Sequence, residues 1–185
     1  MNETRDHKMR ISILGTGDLT KIPRSIGMQE KELRKLIEDT AKLIAKKGHE
    51  IVIIPDRGIP TEFAKIYKKY NGKKIYGLVP VKDTQYGTRH IEPYLHLIDE
   101  RIEKNSWYDV DGEIAAAGDL CIVFGLSPGI MREITVLKYH YKYLGKKTKV
   151  IWFRNTLREE IPKEISEEIP IIYINSVEEL SNLLK

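Results

Sequence analysis

The sequence contains little cysteine and no long hydrophobic run. Cys121 is the only cysteine among the 185 residues, so no disulfide framework can form within one chain. It lies between Leu120 and Ile122 in an apolar stretch, which indicates a buried small side chain rather than a nucleophile or a metal ligand. No apolar run approaches the roughly 18 residues of a membrane span, and residues 1–8 are polar and charged. We therefore expect a cytoplasmic protein without a membrane segment.

Charge of one sign is also scarce. The net charge is +4 and the isoelectric point is near 9.0, but lysine and glutamate alternate along most of the chain. The only glutamines are Gln29 and Gln85, and the abundance of lysine, glutamate and isoleucine resembles the composition of heat-adapted proteins. Dispersed surface charge explains this composition, so nucleic acid is not the partner that we expect.

Apolar segments alternate with amphipathic segments along the chain. The pattern predicts strands at residues 10–14, 50–55, 74–79, 119–124, 148–153 and 171–174, and helices at residues 29–47, 61–70, 128–144 and 177–184. Strands that are apolar throughout and are separated by helices form parallel sheets covered on both faces. We therefore expect one domain over residues 1–185, an α/β three-layer fold with a mainly parallel sheet.

The polar stretch at residues 82–113 is rich in rings and cations for a connector. One interpretation is a lid that supplies base-stacking rings and phosphate contacts. The alternative is a helix over residues 91–104 whose rings cover the sheet edge or a dimer partner. His90 and His96 are six residues apart, a poor spacing for metal ligands on a helix, so we expect neither a metal nor a cofactor. The stretch contains Tyr86, Arg89, His90, Tyr94, His96, Trp107 and Tyr108.

The turn at residues 125–129 joins an apolar strand directly to a helix. Ser127 suits the N-cap and Pro128 the first helical position, which leaves the N–H groups of Gly129 and Ile130 to bind phosphate or carboxylate. The turn also spells G-x-S-x-G, the nucleophile elbow of serine hydrolases. Pro128 has no N–H for an oxyanion hole, and the only later histidine is His140 on the same helix, so the hydrolase interpretation fails.

Three loops should meet at the carboxyl edge of the predicted sheet, where α/β proteins bind ligands. The first loop begins like G-x-G-x-x-G but has Thr20 at the third glycine, so a dinucleotide site is poorly supported, and no P-loop motif is present. Asp56 either holds a ribose hydroxyl or merely makes a turn with Gly58. The candidate ligand-binding residues are Gly15, Thr16, Gly17, Asp56, Arg57, Gly58, Gly125, Ser127, Gly129, Ile130 and Arg132.

The order of these segments resembles a known superfamily. Gly-Thr-Gly follows the first strand, Ala-Lys-Lys-Gly-His precedes the second, Ile-Tyr-Gly-Leu-Val-Pro forms the third, and Ala-Gly-Asp-Leu-Cys-Ile-Val precedes the glycine turn. This layout resembles the Rossmann-like superfamily of LOG proteins, lysine-decarboxylase-like proteins and molybdenum-cofactor-carrier-like proteins. The family turn reads G-G-x-G-T-x-x-E; residues 126–133 keep Gly129 and Glu133 but lose two glycines and the threonine. Val110 stands where LOG enzymes carry an arginine.

The resemblance implies a nucleotide site and, for LOG enzymes, hydrolysis of nucleoside 5′-monophosphates to base and ribose 5-phosphate. Glu133 is then the candidate catalytic carboxylate, whereas its plain alternative is a first-turn acid favoured by the helix dipole. Because the arginine is absent, we expect binding of a nucleotide or related phosphorylated small molecule without this chemistry. The alternatives are a phosphoribohydrolase in which Arg57, Arg89 or Arg101 substitutes, and a single-stranded nucleic-acid-binding protein.

The resemblance and one helix also predict a homodimer. Large side chains surround the helix that follows the turn, more than a one-sided core contact needs. They are Met131, Ile134, Val136, Leu137, Tyr139, Tyr141 and Tyr143.

Overall fold

The computed structural model describes residues 8–82 and 86–184 and contains one seven-stranded sheet. All paired strands are parallel, in the order β4-β3-β2-β1-β5-β6-β7. The strands are β1 (Arg10–Gly15), β2 (Glu50–Ile53), β3 (Ile75–Pro80), β4 (Glu100–Lys104), β5 (Leu120–Phe124), β6 (Lys149–Phe153) and β7 (Ile171–Ile174). The helices are α1 (Lys21–Ile26), α2 (Glu30–Lys46), α3 (Ile59–Lys69), α4 (Trp107–Glu113), α5 (Pro128–Thr135), α6 (Leu137–Leu144), α7 (Lys163–Ser166) and α8 (Val177–Leu183).

The sheet has a hydrophobic core on each face. Helices α1, α2, α3 and α8 cover one face, where Phe63 packs against Phe124 with ring centroids 6.1 Å apart. Helices α4, α5 and α6 cover the other face, around the buried side chains of Val110, Ile134 and Trp152. The predicted three-layer α/β fold with a parallel sheet is therefore confirmed. No helix within the described residues is long and apolar enough to cross a membrane.

The predicted strands are confirmed within one or two residues, but the polar stretch after β3 does not form the helix of the second interpretation. The helix predicted over residues 91–104 is wrong: a 3₁₀ helix (Arg89–Leu97) is followed by β4 and then by α4. Strand β4 was missed because it lies at the sheet edge, where four of its five residues are charged and only Ile102 packs on the core. Residues 1–7 and 83–85 of the predicted polar segments lie outside the described residues.

Two other helices differ from prediction. Helix α1 was not predicted. It begins at Lys21, soon after the first glycine loop, whereas the sequence pattern placed the first helix at residues 29–47. The single helix expected over residues 128–144 is two helices, α5 and α6, that meet at Val136. Ile134 and Leu137 are buried, whereas Tyr139 and Tyr143 are exposed.

The order of the strands brings three loops to one edge. From β1 the chain proceeds to β2, β3 and β4 on one side, and β5, β6 and β7 extend the sheet on the other. In such a parallel sheet, a crevice opens at the carboxyl ends of the strands where the order reverses. The loops after β1, β2 and β5 all lie at this point.

The loop after β2 packs directly on the loop after β1, and Gly58 permits the contact. The φ angle of Gly58 is +98°, and a Cβ atom there would overlap the carbonyl oxygen of Thr16. That oxygen accepts a hydrogen bond from the N–H of Ile59, at 3.0 Å. Gly58 therefore fixes the distance between the two loops.

We expect Gly58→Ala to lower the free energy of unfolding by about 2 to 4 kcal/mol, because strained backbone and steric overlap add. Chemical denaturation followed by circular dichroism measures the change. Gly112→Ala is the matched control, since Gly112 lies in α4 with open space around its Cβ position, and it should be neutral or slightly stabilising. Equal stability of the Gly58→Ala protein and the wild type would contradict the proposed packing.

Candidate functional site

A cavity of about 670 Å³ opens at the point where the strand order reverses. Its volume lies within the range of small-molecule sites, roughly 300 to 1,000 Å³. The three predicted loops contribute to it, and α4 and the segment before it form the opposite wall. Nine of the predicted site residues line this main cavity: Gly15, Gly17, Asp56, Arg57, Ser127, Gly129, Ile130, Arg132 and Glu133.

The other three predicted residues lie outside the main cavity. Thr16 and Gly58 line a second cavity of about 660 Å³ that shares Gly17, Arg57 and Ser127 with the first. Gly125 lines neither cavity. Its N–H donates to Thr156 Oγ1 at 2.9 Å and its carbonyl oxygen accepts from Trp152 Nε1 at 3.1 Å, so its backbone polar groups shape the turn.

One of the backbone N–H groups at the start of α5 already has a hydrogen-bond acceptor within the protein. Ser127 Oγ accepts the N–H of Ile130 at 3.2 Å, so the expectation that this N–H is free is wrong. The N–H of Gly129 has no acceptor within the described part of the chain. Ser127 is thus a helix cap, whereas His140 Nε2 bonds to the carbonyl oxygen of Gly112 at 2.7 Å. Pro128 is the first residue of α5, so the N–H that a nucleophile elbow would need after the serine is lacking there, as the sequence indicated.

Aromatic rings form the wall that faces the three loops. His90 and Trp107 stack with centroids 5.0 Å apart and planes inclined by 26°. The Nε1–H of Trp107 donates to the carbonyl oxygen of Gly87 at 2.8 Å, which fixes the plane of the indole. Tyr86 and Tyr108 complete the wall, with centroids 6.4 Å apart. Of the seven ring-bearing and cationic residues singled out in this stretch, Arg89, Tyr94 and His96 do not line the main cavity.

Two acids and an arginine lie together in the cavity wall. Arg132 Nη1 is 3.4 Å from Asp111 Oδ2, and the guanidinium lies 4.5 Å from the centre of the Tyr108 ring. Burial raises the pKa of Glu133 to about 8; the nearby charge of Asp111 adds to this shift and Arg132 opposes it. Burial likewise raises the pKa of Asp111, again against Arg132. Glu133 is therefore largely a neutral carboxylic acid at pH 7.

Cys121 is a structural residue, as the sequence indicated. Its side chain is fully buried on β5, and burial together with the nearby Glu133 raises the pKa of the thiol well above its ordinary value. Within the described residues, no group of three or more histidine, cysteine or carboxylate side chains is placed to bind a metal ion.

Val110, which the sequence analysis matched to the LOG arginine, is buried in the hydrophobic core. Arg57 and Arg132 are the arginines that line the cavity, whereas Arg89 and Arg101 do not. The sequence interpretation missed Asp111 as a site residue. A helix start could have been predicted at Ser106, because Ser106 and Asp109 have the spacing of a capping box, and they form one at the start of α4. A helix starting there places Tyr108 and Asp111, three residues apart, on one face.

Comparison with solved structures identifies the fold. A structure of the protein TM1055 aligns over 95% of this chain and 97% of its own, with a TM-score of 0.65 and 18% identity. The molybdenum cofactor carrier protein from Chlamydomonas reinhardtii aligns over 96% of both chains, with a TM-score of 0.67 and 15% identity. The chain has the Rossmann-like fold of these structures. DNA processing protein A from Helicobacter pylori aligns over 99% of this chain and 84% of its own, with a TM-score of 0.60 and 17% identity.

The resemblance stated from the sequence is thereby confirmed at the level of the fold. No family model and no curated protein matches the sequence. Below 25% identity the structural likeness carries the architecture alone, so the function has to be argued from the cavity.

The raised pKa of Glu133 predicts a pH-dependent effect of Glu133→Gln on stability. The folded state holds this proton up to about pH 8, whereas the ordinary value is 4.5, so the favourable contribution of the carboxyl is lost as the pH rises between them. Glu133→Gln should raise the free energy of unfolding relative to wild type. The gain should grow from pH 5 to pH 8, reach a few kcal/mol, and level off above pH 8.

Chemical denaturation at pH 5, 7 and 9 measures this gain. Glu164→Gln, on the exposed side of α7, is the control and should change stability little at any of these pH values. A gain for Glu133→Gln that is the same at all three pH values would show that Glu133 is ionised throughout.

Proposed function

We propose that this protein binds a nucleotide or a related phosphorylated small molecule in the main cavity, without hydrolysing it. The observation that carries the proposal is the composition of this cavity: it is lined by four aromatic rings, by backbone loops, and by Arg57, which makes no ion pair with any described residue. We also propose that the site residues are those lining this cavity, within a single cytoplasmic domain of residues 1–185.

The ring wall suits a planar, aromatic group. Trp107 and His90 present a stacked pair whose orientation is fixed by the indole hydrogen bond. A base inserted beside such rings gains stacking contacts of about 1 to 3 kcal/mol, whatever its hydrogen-bonding pattern. Tyr86 and Tyr108 extend the same wall, so a purine-sized ring system has contacts along its length.

The loop side suits an anion. The N–H of Gly129 is free within the described residues, the N-terminus of α5 supplies the positive end of its dipole, and Arg57 makes no ion pair with any described residue. Glu133 would repel a phosphate if it were ionised, but its raised pKa keeps it largely neutral at pH 7. The charges of Asp111 and Arg132 offset one another.

The compared structures support a ligand of this kind without identifying it. One is described as a carrier of molybdenum cofactor, and another is described by its mode of binding single-stranded DNA. The same fold thus serves a small-molecule ligand and a nucleic acid, and the cavity of this chain favours the first.

Thermal-shift measurements with nucleoside monophosphates test the proposal. A ligand held at a hundred times its dissociation constant stabilises the folded state by about 2.7 kcal/mol, which raises the melting temperature by several degrees. Trp107→Ala and Arg57→Ala should each weaken binding about tenfold, because stacking and a charge-assisted contact are each worth about 1 to 2 kcal/mol. Arg101→Ala, an exposed arginine on β4, is the control and should bind as wild type does.

The same titration distinguishes nucleic acid from a small ligand. Affinity for an oligonucleotide that far exceeds that for any mononucleotide, and that falls steeply with salt, would replace our proposal by single-stranded nucleic-acid binding. Absence of any shift with nucleotides would contradict the proposal directly.

The second candidate is a phosphoribohydrolase, which the position of Glu133 in the cavity wall favours. An oxocarbenium-like transition state needs a carboxylate, but Glu133 is largely protonated at pH 7. We therefore expect wild-type protein to release no ribose 5-phosphate from common nucleoside monophosphates at pH 7. Release at pH 7 or pH 9 that is abolished by Glu133→Gln, with nucleotide binding retained, would establish the hydrolase instead.

We also propose a homodimer formed through α6. Tyr139, Tyr143 and Leu144 are 57%, 66% and 66% exposed, and the two tyrosine rings stack with centroids 6.4 Å apart. We expect a dimer by sedimentation at tens of micromolar and a shift towards monomer in Tyr139→Ser/Tyr143→Ser. Leu183→Ser, which alters an exposed apolar side chain on α8, should leave the dimer intact. A wild-type monomer would contradict this proposal.

A further inference from the structure

We propose that the ligand carries a second phosphate and that this phosphate lies in the second cavity, between Lys21, Arg34 and Arg57. The inference rests on the proposed function and narrows it: the ligand class becomes a nucleoside diphosphate or a nucleoside bisphosphate rather than a monophosphate. The second cavity adjoins the main one and has no role in the site described so far.

Three cations reach this cavity from three separate elements. Lys21 is the first residue of α1, Arg34 lies on α2, and Arg57 lies in the loop after β2. Lys21 and Arg57 make no ion pair with any described residue, whereas many other lysines and arginines of the described chain do, such as Arg24, Lys65 and Lys138. Arg34 pairs with Glu30, but both side chains are about half exposed, and such a pair contributes little and exchanges readily for a stronger anion.

Asp18, the carboxylate among the described residues that line the second cavity, already has partners within the protein. Asp18 accepts hydrogen bonds from the N–H and the hydroxyl of Thr20, both at 2.8 Å, and its other oxygen lies 2.7 Å from Arg24. These contacts lower the pKa of Asp18, with Thr20 as the larger cause, so they favour its ionised form. Since these partners satisfy Asp18, the positive charges of Lys21, Arg34 and Arg57 dominate the cavity.

The two cavities share part of their lining. Gly17, Arg57 and Ser127 line both of them, so Arg57 borders the first cavity together with Gly129 and the second together with Lys21 and Arg34. Gly17 has no side chain, and its Cβ position is at least 3.8 Å from any neighbour, so no side chain of this residue stands where the two linings meet. We infer that a ligand whose base lies on the ring wall and whose first phosphate reaches Gly129 extends its second phosphate past Gly17 into the second cavity.

Isothermal titration with AMP, ADP and adenosine 3′,5′-bisphosphate tests the inference. We expect wild-type protein to bind ADP or the bisphosphate at least ten times more tightly than AMP, and whichever of the two binds more tightly identifies the linkage. Lys21→Ala/Arg34→Gln should remove this preference and change AMP affinity less than twofold. Lys31→Ala, on α2 but outside the second cavity, is the matched control and should leave all three affinities unchanged.

Inorganic pyrophosphate and phosphate provide a test that needs no base. Pyrophosphate should bind more tightly than phosphate in wild type, and Lys21→Ala/Arg34→Gln should equalise the two. Equal affinities of wild type for AMP, ADP and the bisphosphate would overturn the second phosphate site and leave the proposed function intact. If no nucleotide binds, the proposed function is overturned. The second phosphate site then stands only if wild type prefers pyrophosphate to phosphate and Lys21→Ala/Arg34→Gln removes that preference; otherwise it is overturned too.

Discussion

The parallel pairing of β1 with both β2 and β5 is the constraint on which the site depends. Ser12 in the middle of β1 pairs with Val52 on one side and with Cys121 on the other. Because the chain adds β2, β3 and β4 on one side of β1 and β5, β6 and β7 on the other, the loops after β1 and β5 lead away from each other and leave a crevice at the edge of the sheet. The backbone therefore creates the cavity, and the loop side chains decide only what it accepts. Gly58 maintains this geometry because it lets two of the loops touch without a side chain between them.

The charged groups of the main cavity differ in whether they are already paired within the protein. Arg132 is occupied within the protein, since it lies beside Asp111 and over the ring of Tyr108. Glu133 is largely neutral at pH 7, because a buried carboxyl that faces a second acid ionises only at a raised pH. Arg57 is the arginine of the main cavity that stays available to a ligand. The proposed binding of an anion is compatible with this wall, because the neutral form of Glu133 does not repel a phosphate.

The sequence predicted the architecture well because the central strands are apolar throughout and only a buried parallel sheet explains them. It failed where burial is one-sided. Strand β4 lies at the edge and consists largely of charged residues, so no hydrophobic pattern distinguished it from a loop. Most of the site residues were predicted, because the positions of the loops follow from the ends of the predicted strands. Contacts between distant segments, such as those of Gly125 with Thr156 and Trp152, leave no local signal in the sequence.

The departures of this chain from the LOG turn have a physical consequence at the start of α5. In a glycine-rich turn the backbone N–H groups stay available, and a phosphate can accept several of them at once. Here Ser127 occupies the N–H of Ile130 with its own hydroxyl, and Pro128 has no N–H to offer. The turn therefore offers fewer free donors than a glycine-rich one, and backbone contacts alone hold an anion less strongly. In the proposed complex, side-chain cations supply the difference, and Arg57, which lines both cavities, is the first candidate for this role.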